Sequence, residues 1–202
     1  PEGLTAYNVV PGLMGVILTM TLVMMTAMAM TRERERGTLE NLLATPVRPV
    51  EMMVGKILPY VMVGYVQVLI VFAAARWLFG VPMAGSFLLL SAMVLLFIVA
   101  TLTVGFTFST IARSQMQSMQ MTLFYFLPNI LLSGFMFPFR GMPRWAQWLG
   151  EVLPLTDFLR IVRAIMLKGA GAGDLWPEVA AIAAFMAAMG TIALVRYRQT
   201  ID

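Results

Sequence analysis

Residues 9–40 read VVPGLMGVILTMTLVMMTAMAMTRERERGTLE, a run of more than twenty uncharged, mostly apolar residues that stops abruptly at the alternating block Arg32-Glu33-Arg34-Glu35-Arg36. An α-helix rises 1.5 Å per residue, so about twenty such residues cross the roughly 30 Å of hydrocarbon in a bilayer. The block then marks where the helix leaves the lipid. Outward from this stretch the pattern recurs: hydrophobic residues make up 60% of the 202-residue chain and charged ones 12%, and the mean hydropathy is +0.84. That composition belongs to a chain whose solvent is a membrane.

Segments at about 10–30, 57–79, 87–111, 116–137 and 177–195 are each long enough to span, and each is too long for a strand. The expected fold is an all-α, polytopic transmembrane helix bundle with five spans. Gly80-Val81-Pro82 separates the second span from the third, and Ala112-Arg113-Ser114-Gln115 is a short turn between the third and fourth. Such short connections join antiparallel neighbours. Residues 1–9 carry neither an initiator methionine nor a signal-peptide pattern, and read as the tail of a missing extracytoplasmic segment, leaving 10–202 as the transmembrane domain.

Several function classes are excluded by what the chain lacks. Cysteine and histidine are absent, so no thiolate nucleophile, imidazole base or Cys/His metal site exists, and neither a metal nor a cofactor is expected. The spans hold no Asp, Lys or His, with Arg76 and Glu178 lying only at span ends. Ion-coupled transport through an intramembrane carboxylate is disfavoured, as is an intramembrane protease. No P-loop is present, because Gly55-Lys56 is followed by Ile57 and lacks the earlier glycine. The net charge of +4 is not a nucleic-acid footprint, since the basic residues gather at the ends of apolar segments. Any energy for uphill movement must therefore arrive through a partner.

Lys and Arg set the orientation. The side holding 31–56, 112–115 and the C-terminus carries eight basic residues against six on the other. Arg32, Arg34, Arg36, Lys56, Arg113, Arg196 and Arg198 flank spans directly, which places the 31–56 segment and the C-terminus in the cytoplasm. On the opposite side, 139–176 reads as two interfacial helices. In the first, Trp145, Trp148, Leu149 and Val152 oppose Arg144, Gln147 and Glu151. In the second, which Thr156 can cap, Leu155, Phe158, Leu159 and Val162 oppose Arg160 and Arg163, and Gly169 to Gly173 end it.

Two groups of residues are candidates for function. Within the charged block, Arg32 with Glu35, Glu33 with Arg36, and Arg36 with Glu40 stand at helical i,i+3 or i,i+4 spacing. After Gly37, Thr38 can cap a short helix presenting Leu39, Leu42 and Leu43, which Pro46 stops before Pro49 opens the next helix. An apolar face ringed with charge suits docking into a groove of a soluble partner. The second group is intramembrane: Gln67, Thr103, Asn129 and Ser133 are polar residues within spans. Pro128 and Gly134 beside the last two permit a break at membrane depth, as a substrate path would need.

Arg34-Glu35-Arg36-Gly37-Thr38-Leu39-Glu40, then Leu42-Leu43-Ala44-Thr45-Pro46 and Gly55-Lys56, resemble the cytoplasmic coupling segment of type-2 ABC exporter permeases of the bacterial multidrug type. Leu132-Ser133-Gly134-Phe135-Met136-Phe137-Pro138, Met142-Pro143-Arg144-Trp145, Leu153-Pro154-Leu155-Thr156 and Leu167-Lys168-Gly169 extend the resemblance along the chain. It implies a non-enzymatic, multi-pass subunit of the bacterial inner membrane. The expected partners are a cytoplasmic ABC ATPase, a second identical or different permease subunit and the bilayer, with a periplasmic adaptor left open. The cargo would be drugs or lipid-like amphipaths moving outward. The family's permeases have six spans, so the first span and its extracytoplasmic domain are missing from this pattern. The competing expectation is a membrane scaffold or assembly module of the same fold that does not pump.

Overall fold

The computed structural model describes residues 2–38, 41 and 44–201. Leu39, Glu40, Leu42 and Leu43 of the expected docking helix lie outside the described residues. Seven α-helices and no strand occur among those described: α1 (Glu2–Glu35), α2 (Pro49–Leu78), α3 (Phe87–Ile111), α4 (Gln115–Leu132), α5 (Arg144–Val152), α6 (Pro154–Lys168) and α7 (Trp176–Ile201). Single 3-10 turns at Phe139–Gly141 and Ala172–Leu175 precede α5 and α7. The all-α polytopic bundle is the observed architecture.

Four stretches are long and apolar enough to cross a membrane: Tyr7–Glu35 in α1, Val50–Leu78 in α2, Phe87–Ile111 in α3, and Ala172–Tyr197, which runs from the second 3-10 turn into α7. α4 differs from the expected span at 116–137. It is 18 residues long, or about 27 Å, and Gln115, Gln117 and Gln120 dilute its first turns. It runs unbroken through Pro128 and ends at Leu132, where Ser133 caps the helix and Gly134, at φ 86°, turns the chain away. α4 still traverses the bundle, since Gln115 meets the end of α1 while Leu132 abuts Gly150 of α5. Residues 2–9 form the opening turns of α1.

Local chemistry accounts for the helix ends. Ser86 and Ser114 accept hydrogen bonds from the backbone N–H groups of Leu89 and Gln117 and so cap α3 and α4, satisfying donors that a helix start leaves unpaired. Threonines inside the spans bond back to their own helix. Thr19 donates to the Gly15 carbonyl at 2.8 Å and Thr101 to the Phe97 carbonyl at 2.7 Å, which keeps a hydroxyl satisfied where water is absent.

α3 and α1 form the centre. Val94, Phe97, Ile98, Ala100, Leu102 and Val104 of α3 are fully buried against Leu18, Leu22, Val23 and Ala27 of α1. Lipid is as apolar as leucine, so close packing and not exclusion from water holds such helices together. Glycine permits that closeness: a Cβ at Gly105 of α3 would lie 2.9 Å from the Val23 carbonyl oxygen of α1.

α5 and α6 part company with the expectation of two interfacial helices. α5 has the exposure such a helix needs, with Trp145, Trp148, Leu149 and Val152 all open. In α6, Leu155, Phe158, Leu159 and Val162 are fully buried, and Phe158 stacks on Phe97 at 4.0 Å between ring centroids. The apolar face of α6 is covered by protein. Nor does Thr156 cap it: the helix begins at Pro154 after Leu153, and the Thr156 hydroxyl is buried without a partner. Gly169, at φ 64°, does end it.

Candidate functional site

The end of α1, the start of α2, the α3–α4 turn and the end of α7 converge at one pole of the bundle, and the charged block is what joins them. The expected pairs along α1 do not form among the described residues. Glu33 pairs instead with Lys56 of α2. Arg34 Nη1 donates to the Ala112 carbonyl at 3.2 Å, occupying an acceptor just beyond the end of α3. Glu35 receives the backbone N–H of Gln115 at 3.0 Å and its side-chain amide at 2.6 Å. A carboxylate thereby caps the N-terminus of α4, where the helix dipole favours negative charge. Arg32 Nε reaches the Gln115 side-chain oxygen at 3.2 Å.

The two residues that turn the chain away from α1 behave differently. Gly37 adopts φ 68°, with nothing within 4 Å of where a Cβ would sit. Thr38 donates its hydroxyl to the Glu33 carbonyl at 2.9 Å, a bond that closes α1. Arg36 is exposed beside them. Behind this pole, a small cavity of about 20 Å3 lies among Met30, Arg34, Met52, Phe106 and Tyr197. Tyr197 donates to the Met52 sulfur at 3.3 Å across it, linking α7 to α2.

Sequence reasoning singled out the block and Lys56, but not Gln115, Met52 or Tyr197. Nothing in their spacing announces them. They matter because tertiary packing places them opposite the block.

The proposed path residues are not gathered into one place. Asn129 and Ser133 are buried one turn apart on α4, with Asn129 Oδ1 and Ser133 Oγ lacking partners, and Gly134 follows directly. Thr103 donates to the Val99 carbonyl at 2.8 Å and packs beside Gly190 of α7. Gln67 is half-buried on α2, its Oε1 unpartnered. No hydrogen bond joins the three groups.

At the opposite pole, Arg160 of α6 clamps α5 by bonding both carboxylate oxygens of Glu151, at 2.7 and 2.9 Å, and lies 4.8 Å over the Phe139 ring. That bond holds the Glu151 carboxyl below its usual range. Asp157, only 3.7 Å from Arg160, is pushed up to about 7 by burial in spite of that cation.

Fold and poles together define a multi-pass helical membrane protein whose one concentrated polar end ties several helix termini to each other. Residues 2–167 match the ABC-2 type transporter family, and the chain belongs to it. It is 37% identical over 193 residues to the inner membrane transport permease YhhJ of Escherichia coli, covering 94% of this chain and 52% of that protein. It is 31% identical over 195 residues to the probable multidrug ABC transporter permease YbhR of the same organism, covering 96% and 53%. ABC transporter G family member 20 of Dictyostelium discoideum is 27% identical over 161 residues, 80% of this chain and 22% of that one. The chain spans about half the length of the first two relatives.

Proposed function

We propose that this chain is the membrane-spanning part of a permease subunit in an ATP-driven exporter of the bacterial inner membrane. In this reading it moves drugs or lipid-like amphipaths outward and pairs with a second permease subunit. Hydrolysis is supplied by a separate cytoplasmic ATPase that docks on the segment from Arg32 to Thr45. The charged pole and the C-terminus face the cytoplasm, and Asn129, Ser133 and Gly134 border the path.

One observation carries the reading: consecutive residues at the end of α1 grip α2, the end of α3 and the start of α4. A push delivered there reaches several helices at once. Fully exposed ion pairs would transmit little, since each is worth only tenths of a kcal/mol. Kinship with proteins named as transport permeases supports the same reading.

In this reading docking and transmission fall on different residues. Arg36→Ala should weaken co-purification of the ATPase, because Arg36 is exposed. Glu35→Ala should leave association intact and uncouple hydrolysis from transport, because it frees the α3–α4 turn from α1. Leu95→Ala, on an exposed apolar surface, is the control. Wild-type association and wild-type substrate-stimulated hydrolysis in both variants would sink the coupling assignment.

A further inference from the structure

At the pole opposite the charged block, the start of α1, the outward face of α6 and the first turn of α7 border an open cleft of about 430 Å3, within the range of small-ligand sites. Asn8, Arg160, Arg163, Leu167, Lys168 and Glu178 line it. Arg160 is already matched by Glu151 and Asp157. Among the described residues Arg163, Lys168 and Glu178 form no ion pair, although Glu178 acts on Arg160 through space. Arg163 donates one Nη2 bond to the Asn8 carbonyl at 3.3 Å, while its Nε–H is buried without a partner. Burial depresses its pKa with no compensating anion. Glu178 Oε2 is also buried without a partner, and Lys168 stands exposed at the rim.

An orphaned guanidinium donor and a lysine therefore share one cleft with an orphaned carboxylate oxygen, an arrangement that a folded protein leaves open only at a cost. Its complement is a ligand with an anionic acceptor at one end and a cationic donor at the other. We propose that this cleft binds a phosphodiester headgroup ending in an ammonium, of the phosphoethanolamine kind, contributed by a lipid of the surrounding bilayer. Arg163 and Lys168 hold the phosphate oxygens, and Glu178 accepts from the ammonium.

Two features favour a lipid over a soluble phosphodiester. The apolar stretch that runs into α7 begins beside this cleft, at Ala172 in the 3-10 turn, and Trp176 at the start of α7 is 70% exposed, as an indole at the headgroup level would be. Leu167 and Ala164 supply an apolar wall beside the charges. The site is independent of the charged pole and of any ATPase.

The test uses the full-length protein in mild detergent with three probes: dihexanoyl phosphatidylethanolamine, dihexanoyl phosphatidylcholine and chain-free glycerophosphoethanolamine. The ethanolamine lipid should bind about tenfold tighter than the choline lipid, because methylation removes every donor that Glu178 could accept from. Glu178→Gln should erase that preference, and Arg163→Gln should weaken both lipids severalfold. Lys168→Glu, at an exposed position that folding does not depend on, should do the same. Equal binding of the two lipids by the wild type, unchanged affinity in the Arg163 and Lys168 variants, or no binding of any probe would overturn the assignment. Glycerophosphoethanolamine binding as tightly as the lipid would overturn the lipid source.

Discussion

α1 and α3 meet at Gly105, and that contact can be priced from its geometry. A Cβ there would fall 2.8 Å from Thr26 Cβ and 2.9 Å from the Val23 carbonyl oxygen, against an ordinary carbon contact of about 3.5 Å or more. Neither obstacle is the far end of a flexible side chain. The two helices must separate by roughly 0.6 Å, and the buried layer of Val94, Phe97 and Ile98 must loosen with them. Gly105→Val is expected to cost about 1–3 kcal/mol, the usual range for overpacking. Gly55 of α2 is the comparator, because nothing lies within 4 Å of its Cβ position. There the change to Ala should stabilise by about 0.5–1 kcal/mol through helix propensity alone. Unfolding both variants in mild detergent by titration with dodecyl sulfate, followed by helical circular dichroism, gives the comparison. A Gly105→Val protein as stable as the wild type would refute close approach of α1 and α3 at this level.

Three other outcomes are expected. A cysteine at Asn41 should react with an impermeant maleimide only from the cytoplasmic side and one at Gly171 only from outside; the reverse pattern would invert the proposed orientation. Gly134→Leu should lower export and also cost about 1–2 kcal/mol of stability, because φ 86° suits glycine and not a branched side chain; Gly134→Asn, which tolerates such angles better, should recover much of both. The Asp157 carboxyl, raised from 3.8 to about 7, keeps its proton in the folded protein over a range where the unfolded chain has lost it. Its stabilising contribution is therefore complete below about pH 4 and is lost as the pH rises to about 7. Thermal midpoints at pH 5 and pH 8 should differ less in Asp157→Asn than in the wild type.

The helices were legible because their apolar runs exceed any strand and because serines and glycines punctuate them at Ser86, Ser114 and Gly169. α6 was misplaced for a physical reason. An apolar stripe opposite Arg160 and Arg163 has the same periodicity whether lipid headgroups or neighbouring helices cover it, and only the position of Phe97 distinguishes the two. The charged block was legible as a polar helix end but not in its wiring. Spacing reports which residues share a face of one helix, so it pairs Glu33 with Arg36; it is silent about Lys56 and Gln115, which folding brings closer. The extent of α4 was overestimated because Phe135, Met136 and Phe137 continue the apolar run past a glycine whose left-handed conformation ends the helix.

Arg34 and Glu35 are neighbours in the chain yet grip opposite sides of the 112–114 turn, and this makes the joint a counting device. Each residue of a helix is rotated about 100° from the last. Adding or deleting one residue between Val23, where α1 meets Gly105, and Glu35 would swing both grips off the turn while leaving the buried layer below in register. The same change after Gly37 would leave them untouched. Sequence length is thus constrained to the residue on the α1 side of that glycine.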